Sequence, residues 1–179
     1  MKGLLAFSRV VDAVNHRFGN LAEWLVLLSC LISAGNAFSR YAFGISSNAW
    51  LEIQWYMFAA VVMLGASYTL KKNEHVRVDI LYANVSTRRQ IGIDIFGFVL
   101  FMLPATVIMT YLSWPVFHNS WMLGEISSNA GGLVRWPVKI FLPIGFALLT
   151  LQGISELIKR VAMRTGHMPA DLHYERPLQ

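Results

Sequence analysis

Four long apolar stretches, separated by short polar segments, dominate the hydrophobic pattern of this 179-residue chain. They predict membrane crossings over residues 21–43, 50–70, 91–117 and 138–157. Each stretch is long enough to span, because about 20 apolar residues in a helix cover the ~30 Å hydrocarbon core of a bilayer. Pro104 lies inside the third stretch, and we expect it to kink that helix.

Residues 1–18 have a different pattern from the crossings. Large apolar side chains recur every three or four positions, at Leu4, Phe7, Val11, Val14 and Phe18. Such spacing is typical of an amphipathic helix that lies on the membrane surface. At the other end of the chain, the polar residues 164–179 predict a tail in the cytoplasm. The sequence thus predicts one all-α integral membrane domain of four transmembrane helices, with an N-terminal amphipathic interfacial helix.

Lysine and arginine are unequally distributed between the two sides of this arrangement. Three lie in the N-terminal segment, five in the connector between the second and third crossings, and four at the C-terminal end, which makes twelve of the fifteen. By the positive-inside rule these segments face the cytoplasm. We therefore expect a multi-pass protein of the bacterial inner membrane with both termini inside.

Composition supports the same class of protein. Hydrophobic residues make up 55% of the chain and charged residues only 14%, against about a quarter in soluble domains. The net charge of +5 is divided among three separated clusters. That division favours anionic lipid headgroups as partners and argues against nucleic acid.

The usual chemistry of membrane enzymes is missing from the sequence. The single cysteine, Cys30, can form neither a disulfide framework nor a zinc site within the chain. All five histidines fall in surface segments, whereas a membrane cytochrome holds haem inside its helices. No phosphate-binding loop, nucleophile motif or metal-ligand spacing is present. We expect no catalytic site, no cofactor, no bound metal and no enzyme activity.

The interiors of the four crossings also lack the ionisable groups that a proton or ion pump needs near the bilayer centre. Their polar residues are Ser33, Asn36, Ser67, Thr106, Thr110, Thr150 and Gln152. These residues predict hydrogen bonds between helices more readily than a path for a substrate.

Glu52 is the candidate group at the outer end of the membrane domain. It lies in the first turn of the second crossing, close to Trp50. One interpretation is a carboxylate favoured by the helix dipole, worth about 0.3–1 kcal/mol. The other is a polar anchor to a second membrane chain. Arg40, on the same side, is a possible partner for Glu52 within this chain.

The charged connector after the second crossing holds the inner candidates. Lys71 and Lys72 predict contact with lipid phosphate. Arg77 and Asp79 would organise the turn or a docking surface. His75 is a lone surface histidine, which is more often structural than a sensor.

Several of these residues occur in a pattern that resembles a known family. Arg40-Tyr41, Trp50-Leu-Glu52, Leu64-Gly-Ala66 and Glu74-His-Val-Arg-Val-Asp79 are similar to the small membrane subunit, of DctQ type, of tripartite ATP-independent periplasmic (TRAP) transporters. The similarity extends over all four crossings. Many members carry two adjacent acids after the tryptophan, whereas Ile53 follows Glu52 here. Any role of a carboxylate pair must therefore rest on Glu52 alone.

The second outer loop adds a finer resemblance. Its segments Ser120-Trp121 to Glu125, Gly131-Gly-Leu133 and Trp136-Pro-Val-Lys139 resemble the branch assigned to mannitol, chloroaromatic or 2-oxo acid uptake.

The resemblance implies a small scaffold subunit of a sodium-coupled transporter for an organic acid. Its partners would be a large membrane subunit (M type), which carries the substrate and sodium sites, and a periplasmic substrate-binding protein. Glu52 and Arg40 would lock the outer ends of the helices. The loop from Glu125 to Arg135 would lie where the binding protein docks. The alternatives are a membrane anchor of a quinone-linked oxidoreductase and a small homo-oligomeric exporter.

Overall fold

The computed structural model describes residues 1–75 and 85–169, and every regular element in those ranges is a helix. The helices are α1 Lys2–Phe43, α2 Asn48–Lys72, α3 Thr87–Gly97, a π-helical turn Phe98–Met102, α4 Leu103–Met122, α5 Trp136–Lys139 and α6 Phe141–Arg164. Two of the residues singled out from the sequence, Arg77 and Asp79, lie outside the described ranges, as does most of the predicted tail.

Four helical stretches are long and apolar enough to cross a membrane. They are Lys2–Phe43, Asn48–Lys72, Thr87–Met122 and Trp136–Arg164. Each contains one of the predicted crossings, which confirms the all-α class and the four spans. Each is also longer than the apolar stretch that predicted it, because helices continue beyond the hydrocarbon into the headgroup region.

The first helix differs from its prediction. The segment 1–18 is continuous with the first crossing, and α1 runs without a break from Lys2 to Phe43. Its buried residues are Ser8, Val11, Asn15, Gly19 and Ala22. Leu4, Phe7 and Val14, from the expected apolar stripe, are each at least 39% exposed. The face that packs on the protein thus consists mainly of small and polar residues, with Val11 among them, and three of the five residues of the apolar stripe point outward.

Short connections with specific end residues turn the chain between α1 and α2. Gly44 ends α1 in the left-handed conformation (φ 67°), and its N–H donates to the Arg40 carbonyl at 3.2 Å. Ser47 begins α2, and its side chain accepts a hydrogen bond from the Ala49 N–H. Residues 44–47 thus form a tight outer turn that leaves little freedom between the two helices.

The third span holds the local irregularity that its prolines predict. The π-helical turn Phe98–Met102 comes directly before Pro104. Proline lacks the N–H that would continue the helical ladder, and π-turns accommodate such interruptions. The helix then continues through Pro115 to Met122. The helix therefore extends five residues beyond the predicted end of the third crossing at residue 117.

The fourth span is the central helix of the packing. α6 contacts α1, α2 and α4, and α1 also packs along α2. In the most apolar part of the fourth span 33% of the residues are buried, whereas in the most apolar part of the first span only 6% are buried. Ala60, Leu64 and Leu148 form the core between α2 and α6. The outer faces of the other helices remain available to lipid or to a partner.

Candidate functional site

The structure places Glu52 at the centre of a contact between α2 and the second outer loop, residues 123–135. The side chain is only 3% exposed. One carboxylate oxygen accepts hydrogen bonds from the Ser127 hydroxyl and from the Asn129 amide, the latter at 2.7 Å. The other oxygen accepts from the Leu133 backbone N–H at 2.7 Å. Both oxygens of Glu52 are thus occupied by the chain's own loop.

The loop is shaped to present these donors. Ile126 and Val134 form an antiparallel bridge, and the Ser127 N–H donates to the Leu133 carbonyl at 2.9 Å. Gly131 at its tip has φ 68°, which glycine adopts without strain. A Cβ at Gly132 would lie 2.5 Å from the Ser127 Cβ. The two glycines therefore allow a closed turn that points Ser127 and the Leu133 N–H toward α2.

Two further residues of α2 hold the same loop. The Asn48 amide donates to the Ala130 carbonyl at 3.0 Å, and the Tyr56 hydroxyl donates to the Val134 carbonyl at 3.2 Å. Asn48, Glu52 and Tyr56 are four residues apart, so they share one face of the helix. Together they form a polar stripe that fastens the loop. We call this set of contacts the outer latch.

A second charge cluster lies beside the outer latch. The Lys139 ammonium donates to Glu125, and the Arg135 guanidinium lies 3.7 Å from the same carboxylate. The Lys139 hydrogen bond lowers the pKa of Glu125. A cavity of about 280 Å³ opens between this cluster and Glu52. The cluster therefore ties the two ends of the loop together across the base of α5.

Arg40 does not pair with Glu52 as proposed from the sequence. It is exposed and forms no ion pair with any residue in the described ranges. The reason is geometric, because loop donors already fill both oxygens of Glu52. Trp50 is half exposed, as suits an aromatic residue at the membrane interface. His75 is exposed at the inner end of α2, beside the groove between α1 and α2.

The inner end contains a polar cluster that the sequence analysis missed. The Asp12 carboxylate lies 2.8 Å from the Lys159 ammonium, which also lies 2.7 Å from Glu156. The Gln152 amide donates to both acids, at 2.9 and 3.0 Å, and accepts from the Asn15 amide at 2.7 Å. We call this set the inner cluster. It joins α1 to α6.

A sequence signal for the inner cluster exists. Gln152, Ser155, Glu156 and Lys159 follow a helical spacing, so they form one polar face at the end of an otherwise apolar helix. Gln152 fulfils the prediction of hydrogen bonding between helices. In contrast, the hydroxyls of Thr106, Thr110 and Thr150 donate to carbonyls of their own helices.

The described residues contain no group of histidine, cysteine and acidic side chains that could hold a metal ion. Their buried and partly buried charged groups lie toward the two ends of the helices. Glu52 serves the outer latch, Asp12, Glu156 and Lys159 form the inner cluster, and Asp94 pairs with Arg160 at 2.9 Å. Four apolar spans, joined near their ends by polar contacts, define a multi-pass membrane protein.

Comparison with known proteins gives the particular family. The model of the family described as "Tripartite ATP-independent periplasmic transporters, DctQ component" matches residues 29–163, and the chain belongs to that family. It is a transporter component of the inner membrane and not an enzyme. The interpretation as an oxidoreductase anchor is therefore wrong.

A curated relative extends the similarity beyond the family match. The C4-dicarboxylate TRAP transporter small permease protein DctQ of Vibrio cholerae serotype O1 is 26% identical to this chain over an alignment 194 residues long, gaps included. The alignment covers 97% of this chain and 83% of that protein. No solved structure matches the chain.

Proposed function

We propose that this small permease subunit is a scaffold that holds a large membrane subunit in the bilayer. The proposal rests on how this chain uses its buried charged side chains. In the described ranges, each buried carboxylate is bonded within the chain and lies toward one end of the helices. A moving ion pathway needs groups that can exchange partners near the bilayer centre. Fixed ends and apolar faces suit support rather than transport.

The partners in this proposal are a large membrane subunit and a periplasmic substrate-binding protein. Sodium and substrate would bind the large subunit, and this chain would carry no cofactor. The relative from Vibrio cholerae is named for C4-dicarboxylates, and the loop resembles a branch assigned in part to 2-oxo acids. Both point to an organic acid as the transported solute.

The outer latch has a defined part in the proposal. It fixes residues 123–135 as a shaped loop on the outer side, where a soluble binding protein can reach it. The loop exposes apolar side chains that no other described residue covers, with Leu123 81% and Ile126 64% exposed. Exposed apolar side chains beside a polar rim are typical of a recognition surface.

The first test is purification of the tagged chain from its native membrane in mild detergent, followed by mass spectrometry. Recovery of a much larger membrane protein in near-equal amount is the expected result. Recovery of the chain alone, combined with transport by the isolated chain in liposomes, would support the exporter and overturn the scaffold.

The second test concerns the loop. Replacing residues 126–134 with a Gly/Ser linker should reduce uptake while the large subunit still copurifies. Unchanged uptake would overturn the docking role of the loop. A reporter that is active only outside the cytoplasm, fused after Gly131, should be active if the predicted orientation is correct.

A further inference from the structure

A groove at the inner end of the molecule has the composition of a lipid headgroup site. It lies between the start of α3 and the end of α6 and has a volume of about 570 Å³. Its lining residues are Val85, Arg88, Arg89, Gly92, Ile93, Phe96 and Arg164. Three guanidinium groups therefore share one groove with an otherwise apolar floor.

The positive charge of this groove is not neutralised by the described part of the chain. No carboxylate is among the lining residues. Arg88, Arg89 and Arg164 form no ion pair with any residue in the ranges 1–75 and 85–169. Arg160, one turn before Arg164, is by contrast paired with Asp94. An anion in the groove would thus meet three guanidinium groups that no carboxylate of the described ranges neutralises.

The lysines that the sequence assigned to lipid phosphate are occupied differently. The Lys71 ammonium donates to the Asp12 carbonyl at 3.0 Å. Lys71 and Lys72 also lie 5.9 and 5.7 Å from the centre of the Tyr68 ring. Such cation–π contacts use part of the charge within the protein. The arginine groove is consequently the better anion site at this end.

The geometry of the groove points to a lipid rather than a small free anion. Arg88 and Arg89 begin α3, and Arg164 ends α6, so the three charges lie where the helices leave the hydrocarbon. Ile93 and Phe96 follow deeper along α3 and are 45% and 59% exposed. Charge at headgroup level above apolar surface matches a phosphate with its acyl chains.

Gly92 is what opens the groove between the two helices. A Cβ at this position would lie 3.2 Å from an Arg164 guanidinium nitrogen. The missing side chain lets Arg164 lie against α3, beside Arg88 and Arg89. A larger residue at position 92 would fill the floor without removing any charge.

We propose that this groove binds the phosphodiester of an anionic phospholipid in the inner leaflet. The guanidinium groups donate forked hydrogen bonds to the phosphate oxygens. The acyl chains run along Ile93 and Phe96. The proposal does not depend on the scaffold function, because it concerns the chain and its bilayer alone.

The test is native mass spectrometry of the delipidated full-length chain, with its large subunit where the two copurify, titrated with phosphatidylglycerol. Phosphatidylcholine, which is zwitterionic and has no net charge, serves as the comparison lipid and should bind more weakly. The variant Arg88→Gln/Arg89→Gln/Arg164→Gln removes the three charges. The matched control Lys2→Gln/Arg9→Gln/Arg17→Gln removes three charges from exposed positions on α1.

We expect saturable binding of phosphatidylglycerol to the wild type and to the control. The groove variant should bind about 100-fold more weakly, since each arginine near an anionic surface contributes about fivefold in affinity. Equal binding by the groove variant and the wild type would overturn the proposal.

The variant Gly92→Leu tests whether the lipid needs the shape of the groove or only its positive charge. It also provides the test of the proposal if the triple variant does not fold. It should lose the tightly bound lipid while it keeps all three arginines. Wild-type affinity in Gly92→Leu would overturn the proposal. Two other results would also overturn the proposal. One is inorganic phosphate that binds as tightly as the lipid, and the other is a groove variant that loses the large subunit but binds the lipid as the wild type does.

Discussion

Replacing Gly145 with alanine should push α6 away from α2. A Cβ at Gly145 would lie 2.7 Å from both the Cβ and the backbone oxygen of Met63, whereas ordinary contact begins near 3.4 Å. Backbone atoms cannot rotate away, so the two helices must separate by several tenths of an ångström. Overpacking of this kind costs about 1–3 kcal/mol.

The matched control is Gly35→Ala in α1, where a Cβ would meet nothing within 4 Å. Alanine favours helix over glycine by about 1 kcal/mol at either position. The difference in unfolding free energy between the two variants therefore isolates the clash. We expect Gly145→Ala to be about 1–3 kcal/mol less stable than Gly35→Ala.

The assay is reversible unfolding in mixed detergent micelles, followed by helical circular dichroism. Equal stability of the two variants would refute the close packing of α2 on α6. A loss of stability in both would instead locate the effect in the helices themselves.

Three other predictions concern the charged groups. Glu52→Gln should release the outer loop, because an amide cannot accept all the hydrogen bonds that the carboxylate accepts, and protease cleavage there should rise about tenfold; an unchanged cleavage rate would contradict the outer latch. The Lys139 hydrogen bond lowers the pKa of Glu125 below its usual 4.5. The stabilisation that this contact gives the folded loop is therefore complete above pH 4.5, and it is lost as the pH falls through the lower pKa that Glu125 has in the folded state. Protease resistance of the loop should therefore begin to fall as the pH drops below 4.5, and Lys139→Gln should make this fall smaller, because Lys139 is the main cause of the lowered pKa. Arg160→Met should cost about 3–5 kcal/mol because it removes the guanidinium that lies 2.9 Å from the Asp94 carboxylate in a nearly dry site, and adding Asp94→Asn should restore part of the loss; equal stability of the single and double variants would count against the ion pair.

The crossings could be predicted from the sequence because hydrocarbon thickness sets a strict minimum length for an apolar helix. Their true ends could not. The third crossing is predicted to end at residue 117, yet its helix continues through Pro115 to Met122. A proline removes one hydrogen bond, and in a membrane the surrounding groups keep the rest of the helix intact.

The buried face of α1 illustrates a second limit. In water, the apolar stripe of a helix marks the side that packs on the protein. In lipid, large apolar side chains can face outward, and helices approach through small and polar residues such as Ser8 and Gly19. Hydrophobic spacing therefore predicted a helix over residues 1–18 but could not show which of its residues pack on the protein.

The outer latch shows a third limit. Sequence alone identified Glu52 as an unusual acid at a helix start, and it identified the loop as a separate irregular segment. Their contact joins residues 77 and 81 positions apart. No local pattern encodes a pairing at that distance, so the partner chosen from the sequence was the nearer Arg40.

The length of α1 has a mechanical consequence. Its 42 residues extend about 63 Å at 1.5 Å per residue, which is twice the hydrocarbon thickness of a bilayer. The contact between Asn15 and Gln152 holds it about one third of the way along. Beyond that contact the helix extends about 42 Å further, packs along α2 and joins it through the turn at residues 44–47. A rotation of about 5° at that contact would carry Phe43 sideways by about 4 Å, and the turn would carry the start of α2 and the outer latch with it.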